Sequence, residues 1–260
     1  MNKQELRAVR LLEMLQSRQR LDVRAVSKSL SISEATTRRL FSELERQGKV
    51  IRVHGGVQLA PQLGYGYSFR LSAAHRQHEK SLIGAKAAEL VHSGEHIFLD
   101  SGTTVLRLAE ALALRLQTGG LKDLVVLTNS MTHLETLARR CKVILVGGEI
   151  RVERLDVCGS LAEANLALFH VNKAFLGADA VSLTGGFMTT DERTAKMNQL
   201  VVERSEQVYV LADSSKFGRS SFVRYASLRQ VQAVYTDAGI GRETLRRFTE
   251  AGARIQIVRG

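Results

Sequence analysis

Ser33-Glu-Ala-Thr-Thr-Arg-Arg-Leu-Phe-Ser-Glu-Leu-Glu-Arg-Gln-Gly48, followed at once by Lys49-Val-Ile-Arg-Val-His-Gly-Gly56, decides how the first quarter of this 260-residue chain folds. Thr37, Phe41 and Leu44 recur at i, i+4 and i+7 and share one largely apolar helix face. Ala35, Thr36 and Arg39 point roughly the other way. Ser33 is placed to cap this helix by accepting from a free N–H near Thr36, Glu34 suits its positive start, and Gly48 its end. Upstream, Gln4 to Gln16 carries Leu6, Val9, Leu12 and Leu15 at three-residue steps, and Val23 to Leu30 makes a short second helix. Ser31-Ile32-Ser33 is then the turn. Val50 to Leu59 alternates enough to form a small hairpin with Gly55-Gly56 at its tip.

A short helix, a tight turn, a helix bearing small polar and arginine side chains, and a hairpin behind it form a winged helix-turn-helix that enters a major groove. Ser33, Thr36, Thr37, Arg38 and Arg39 are the candidate DNA contacts on the helix, and Arg52 and His54 those on the wing. Arginine pairs with guanine edges or phosphate, and threonine suits phosphates and thymine methyls. A basic helical hairpin that docks on another protein would share part of this pattern. Residues 1–58 hold twelve Lys and Arg against six Asp and Glu, so just over half of the net +11 charge sits in under a quarter of the length. Such a field attracts a polyanion and is silent on sequence preference.

The other bounds are ordinary. At 44% apolar, the chain has material for a small domain of residues 1–58 and a larger one of residues 79–260, each with a core. Residues 59–78 read as a linker, with the sole proline, Pro61, and the run Gly64-Tyr-Gly-Tyr67. Met1-Asn-Lys-Gln-Glu-Leu-Arg7 lacks an apolar signal core, and no run of about eighteen apolar residues occurs, so a cytoplasmic location is expected, with no membrane partner. Cys141 and Cys158 lack metal-ligand spacing and are expected to be buried free thiols; neither a metal nor a cofactor is expected.

From Lys80 onward, helices and short apolar strands alternate. The strands are His96–Leu99, Leu124–Leu127, Val143–Val146, Lys173–Gly177, Val208–Leu211, Val231–Thr236 and Arg254–Val258. Helices are expected over residues 81–92, 104–116, 131–140, 162–169, 191–205 and 242–251. Buried strands separated by helices predict an α/β domain with a mainly parallel, three-layer sheet.

Ligands bind such sheets at the carboxyl ends of the strands, where this chain places its small and polar residues. Asp100-Ser101-Gly102-Thr103-Thr104 joins a strand to a helix: glycine lets backbone approach, the hydroxyls donate, and the helix start favours an anion. Asn129, the Gly147-Gly148 turn and Asp179 end other strands. Lys216, and Lys196 on the helix after Asp191, are placed to add positive charge. With Glu192, these twelve residues are the candidate effector site.

The chain resembles the DeoR family of transcriptional regulators over nearly its full length. The resemblance rests on Thr36 to Leu44 with Arg52-Val-His-Gly-Gly56, then Leu99-Asp-Ser-Gly-Thr-Thr104, Leu127-Thr-Asn-Ser130 and Val146-Gly-Gly148. It continues through Lys173-Ala-Phe-Leu-Gly-Ala178 and Leu211-Ala-Asp-Ser-Ser-Lys-Phe-Gly218. It implies a winged helix-turn-helix, an effector domain related to ribose-5-phosphate isomerase, a phosphorylated sugar as inducer, and repression of a carbohydrate-use operon. Within the family, Thr236-Asp-Ala-Gly239 and the segments around Asp100 and Asp213 are similar to sorbitol (glucitol) operon repressors, implying a hexitol or hexulose phosphate. A homo-oligomer, dimer or tetramer, is expected to present paired heads to repeated half-sites of operator DNA.

Two positions depart from the family. Its recognition helix usually reads Ile-Arg-Arg-Asp-Leu, where this chain has Thr37-Arg-Arg-Leu-Phe41, and the Asp that often precedes Lys-Ala-Phe is Asn172. Leu40 lies about 60° from the centre of the apolar face and is expected to pack at the edge of the core. The rival class is an isomerase-like enzyme with a basic head, in which Asp100, Asp179, Glu192 and Lys196 would move a proton beside a carbonyl. An isomerase has no need of the first 58 residues, so no catalytic role is expected.

Overall fold

The computed structural model describes residues 3–17, 20–46, 49–53, 55–59 and 69–260, and divides the chain into two compact units, Met1–Tyr67 and Ser68–Gly260. The expected roles of Gly48 and His54 fall outside the described residues, as do residues 60–68.

The first unit runs α1 (Lys3–Ser17), β1 (Arg20–Asp22), α2 (Val23–Leu30), α3 (Glu34–Arg46), β2 (Val50–Val53) and β3 (Gly56–Leu59). Of the stripe read from the sequence, Leu12, Leu15, Phe41 and Leu44 are buried, joined by Leu11 and Val26; Val9 is half-buried and Leu6 is exposed, so the packed face of α1 turns through Leu11 rather than Leu6. Leu40 is buried with them at 5% exposure, so the residue standing for the family's aspartate serves packing. Asp22 caps α2 by accepting from Ala25 N at 2.7 Å, and Ser31 ends it with a left-handed φ of 51°. The wing has a third strand that the sequence pattern does not announce: β1 pairs antiparallel with β3, which pairs antiparallel with β2. Gly56 belongs to β3 and leaves Gly55, at φ +77°, as the turn residue. A Cβ on Gly56 would stand 2.1 Å from Leu21 O, so β1 can lie alongside only because this residue is glycine.

The second unit is built on a seven-stranded, wholly parallel sheet. Its strands are β4 (His96–Leu99), β5 (Val125–Thr128), β6 (Lys142–Leu145), β9 (Val171–Gly177), β12 (Ser205–Leu211), β14 (Ala233–Asp237) and β15 (Ile255–Val258), in the order β15-β14-β12-β9-β4-β5-β6. One face is covered by α5 (Gln77–Ala88), α6 (Thr103–Gln117) and α7 (Met131–Leu137), which contribute Ile83, Leu108 and Leu137 to a single core. The other is covered by α8 (Ser160–Leu166), α9 (Glu192–Glu203) and α10 (Arg242–Glu250), through Ala162, Val201 and Phe248. The expected three-layer arrangement is present. Gly84 is required where α5 crosses α6, because a Cβ there would stand 2.5 Å from the carbonyl carbon of Arg107.

Three features lie outside the sequence reading. Helix α4 (Phe69–Ala74) and the start of α5 fall within 59–78, so the latter part of the expected linker is ordered helix in the second unit. A hairpin of β7 (Glu149–Arg151) and β8 (Asp156–Cys158) follows β6, and β10 (Ala180–Ser182), β11 (Gly186–Thr189) and β13 (Val223–Ala226) form a small antiparallel sheet. These strands of three or four residues are too short for a periodic signal.

The chain leaves β4 for β5 and β6 on one side, then returns to add β9, β12, β14 and β15 on the other. The order therefore reverses between β4 and β9, and the crevice beyond their carboxyl ends is the topological switch point, where open α/β sheets bind ligands.

Candidate functional site

In the first unit, Ser33 Oγ accepts from Thr36 N at 3.2 Å and meets Thr36 Oγ1 at 2.9 Å, the expected cap of α3. Beyond it, Arg38 and Arg39 are exposed. Arg38 lies 3.6 Å from Glu34, a pairing of little energy at such exposure. Among the described residues, Arg39 pairs with no carboxylate and is exposed toward solvent. Arg52 crosses from the wing, donates to Ser42 Oγ at 3.2 Å and stands 6.0 Å over the Phe41 ring. Arg38, Arg39, Ser42, Glu43, Arg46 and Arg52 line one shallow concavity, four cations against one carboxylate. Thr37 is corrected: it is fully buried and its hydroxyl donates to Ser33 O at 3.1 Å, so it belongs to the core and helix start rather than to a DNA-facing surface.

In the second unit, the loop 100–104 occupies the switch point. Asp100 follows directly on β4, and its Oδ2 accepts from Gly177 N, at the end of β9, at 3.0 Å. A Cβ on Gly102 would lie 3.4 Å from Gly177 Cα, so the two loops meet backbone to backbone. Burial pushes the Asp100 carboxyl up to about 6, against the Gly177 N–H bonded to it and the nearby Ser101 N–H, both of which favour its anion. Asp100 Oδ1 and Asn129 Oδ1 are buried acceptors without a hydrogen-bond partner. The hydroxyls of Thr103 and Thr104 form no hydrogen bond within the described residues, and Gly102 gives α6 no side-chain cap, so its first N–H groups remain open.

Behind the loop, His133 Nε2 meets Asp100 O at 2.9 Å, and burial draws this imidazole down to about 4, so it is neutral at pH 7. Ser101 Oγ donates to Asp156 Oδ2 at 3.1 Å. Asp156, fully buried, is held by Arg151 through Nε to Oδ1 at 2.8 Å and Nη2 to Oδ2 at 2.7 Å. Arg151 also donates to Asp191 Oδ1 at 2.5 Å and to Thr194 Oγ1 at 2.9 Å. Against the desolvation of partial burial, these bonds and the Thr194 N–H hold Asp191 down to about 2. The Gly147-Gly148 turn has φ of 73° and 124°, and a Cβ on Gly148 would stand 2.6 Å from Cys158 O.

A second group surrounds the ends of β12 and β14. Lys216 is half-buried on the 3-10 turn Ser214–Lys216, beside buried Lys80. Desolvation lowers Lys80 to about 8; Asp213 pulls it up, whereas Lys216, Arg107 and Arg76 push it further down.

The structure thus gathers Asp100 to Thr104, Asn129 and the Gly147-Gly148 turn along one edge of the sheet. Asp179 lies close enough to raise the Asp100 pKa, but its Oδ2 is occupied by Thr189 Oγ1, Thr190 N and Thr190 Oγ1, which makes it a turn anchor. Glu192 and Lys196 are exposed on α9, and no contact among the described residues joins them to the cradle or to each other. Arg76, Lys80, Arg107, His133, Arg151 and Asp156 escaped the sequence reading. Only Asp156, two residues before Cys158 in a short apolar strand, carried any signal.

A winged helix-turn-helix head and a parallel α/β domain with polar loops at its switch point make the architecture of a two-part transcriptional regulator. Residues 7–62 match the model of the DeoR-like helix-turn-helix domain, and residues 75–238 that of the DeoR C terminal sensor domain. The chain belongs to the DeoR family of transcriptional regulators. It is 31% identical to the uncharacterized HTH-type transcriptional regulator YulB of Bacillus subtilis, over 97% of this chain and 96% of that one. It is 32% identical to the HTH-type transcriptional repressor GlcR of the same organism, over 90% and 88% of the two chains. It is 29% identical to the glycerol-3-phosphate regulon repressor of Escherichia coli, over 91% and 92%. Among solved structures, ribose 5-phosphate isomerase from Plasmodium falciparum is similar over 53% of this chain and 51% of that chain, at 21% identity and a TM-score of 0.40. Among the described residues, no helix is long and apolar enough to cross a membrane.

Proposed function

We propose that this chain is a repressor of a carbohydrate-use operon, released from its operator by a phosphorylated hexitol or hexulose. The observation that carries the proposal is the pairing, in one crevice, of open donors with buried unpartnered acceptors. The start of α6 and the hydroxyls of Thr103 and Thr104 suit a phosphate; Oδ1 of Asp100 and Oδ1 of Asn129 suit the hydroxyls of a polyol. Lys216 adds a positive charge from beyond the end of β12, two strands from β4 in the sheet. Relatives named as the transcriptional repressor GlcR and as the glycerol-3-phosphate regulon repressor support the same reading.

Operator contact is assigned to Thr36, Arg38, Arg39 and Arg52, with Ser33 holding the start of α3. Paired heads, from a dimer or tetramer joined through the second unit, would meet repeated half-sites. The isomerase-like alternative is disfavoured by the solvent position of Glu192 and Lys196, two of the four residues it would use for proton transfer.

Footprinting of DNA upstream of the gene, together with equilibrium dialysis of hexitol, hexulose and pentose phosphates, tests this. The proposal expects a protected repeat and retention of one phosphate ester. Turnover of an ester by the purified chain would contradict it.

A further inference from the structure

Arg76 joins α4 to α5 with φ of 51°, a left-handed backbone that disfavours any residue with a side chain. Its guanidinium reaches far along the chain. Nη2 donates to Asp237 Oδ2 at 3.0 Å and to Ser214 Oγ at 3.1 Å, and lies 3.2 Å from Glu79 Oε1. Nε stands 3.4 Å from Asp213 Oδ1. Asp213 lies just beyond β12 and Asp237 ends β14, and Ser214 opens the turn that carries Lys216.

That turn is itself tied to the same carboxylate: Asp237 accepts from Ser214 N at 2.7 Å, from Ser214 Oγ at 2.9 Å and from Gly239 N at 2.9 Å. A Cβ at Gly239 would meet Asp237 Oδ2 and Ser214 Oγ, both at 2.7 Å, so the clasp leaves no space for a side chain. On the other side of the elbow, buried Lys80 donates to Ser72 O of α4 at 2.5 Å. The segment from Ser72 to Lys80 is therefore pinned to α5 and to the ends of β12 and β14. In chain order it is the part of the second unit that follows the DNA-reading unit.

The clasp is incomplete in one respect. Arg76 Nε and Asp213 Oδ2 are both buried without a hydrogen bond. Such groups carry a desolvation penalty that a small shift can relieve, so a second arrangement of the elbow lies within reach.

We propose that Arg76 is the positioning residue that couples the effector cradle to the elbow, by holding the Lys216 turn and residues 72–80 as one piece. This rests on reading the cradle as a phosphate-ester site. An ester that draws in Lys216 shifts Ser214 and Asp237, and Arg76 carries that shift to the elbow and the chain leading to the operator-binding head.

The test uses the full chain with Arg76→Gly and Arg76→Lys. Glycine accepts the left-handed φ without strain, so this variant keeps the turn while removing the clasp. Operator affinity is measured by fluorescence anisotropy without ligand and with sorbitol 6-phosphate or fructose 6-phosphate at a concentration that saturates each variant. Hydrogen exchange over residues 69–76 is followed in parallel. The proposal expects the ratio of the two affinities, about 5- to 150-fold in the unaltered protein, to fall to within twofold of unity in R76G and to recover in part in R76K. Ligand should alter exchange over 69–76 in the unaltered protein and not in R76G. An unchanged ratio in a folded R76G overturns the proposal while leaving the phosphate-ester reading intact. If neither sorbitol 6-phosphate nor fructose 6-phosphate releases the unaltered protein, that reading fails; the clasp is then judged on ligand-free operator affinity, which R76G must shift at least fivefold, and an unchanged affinity overturns it.

Discussion

The amide of Gly177 donates to Oδ2 of Asp100 at 3.0 Å, joining the ends of β9 and β4 across the switch point of the sheet. This bond fixes one carboxylate oxygen and leaves the other, Oδ1, buried and unpartnered in the crevice. A buried carboxylate oxygen without a partner carries a desolvation cost.

That cost is measurable through pH. Asp100 sits at about 6, above its ordinary 3.8, because burial disfavours its anion. The folded chain therefore binds this proton more tightly than the unfolded chain does. Its contribution to stability is fully present below pH 4, is lost as pH rises to 6, and is constant above. Asp100→Asn, which cannot ionise, is expected to be more stable than the unaltered protein at pH 7 by of order 2–3 kcal/mol. The gap should close near pH 4, and effector binding should weaken. Urea unfolding at the two pH values checks this; equal gaps would contradict it.

Arg151 and Asp156 form a buried, bidentate pair beneath Ser101, with side-chain exposures of 10% and 1%. Removing one partner leaves a buried charge, so Arg151→Met is expected to cost about 3–5 kcal/mol. Adding Asp156→Asn, which keeps an acceptor for Ser101, should restore more than half of that loss. Denaturant midpoints of the single and double variants report it.

On the DNA-reading helix, Arg39→Ala should weaken operator binding by about 1–3 kcal/mol, or 5- to 150-fold, without altering effector affinity. Thr37→Val should lower stability by about 1 kcal/mol, through the lost bond to Ser33 O, and leave operator affinity within twofold. Anisotropy titrations of both variants on one fragment distinguish surface from core.

Gly148→Ala forces a side chain into φ of 124° and against Cys158 O. A stability loss above 1 kcal/mol is expected, with the Gly147 turn displaced and effector affinity reduced at least tenfold. Calorimetric titration of the variant with the effector checks the second part.

The helix-turn-helix was legible because its signals are local: the spacing of Phe41 and Leu44, the cap at Ser33 and the turn at Gly55 lie within a few residues of what they organise. The main strands were legible as short apolar runs, and the crevice loop followed from where β4 stops. What escaped the reading depends on distance along the chain. Arg76 meets Asp237 at a separation of 161 residues and Ser101 meets Asp156 at 55, and neither side chain carries a mark of its partner. Thr37 was assigned to two faces at once, and burial decides for the core. Glu192 and Lys196 share a helix with buried Thr194 and Asn198, and only the packing of α9 shows that these two turn outward.

The most direct test of the account is release from DNA. The full chain is bound at fixed salt to a fluorescent fragment from upstream of its own gene, then titrated with sorbitol 6-phosphate, fructose 6-phosphate, unphosphorylated sorbitol and inorganic phosphate. The account predicts that one hexose-derived phosphate ester lowers the anisotropy to that of free DNA, and that sorbitol and inorganic phosphate leave it unchanged. Sequence-specific binding that none of the esters disturbs would contradict it.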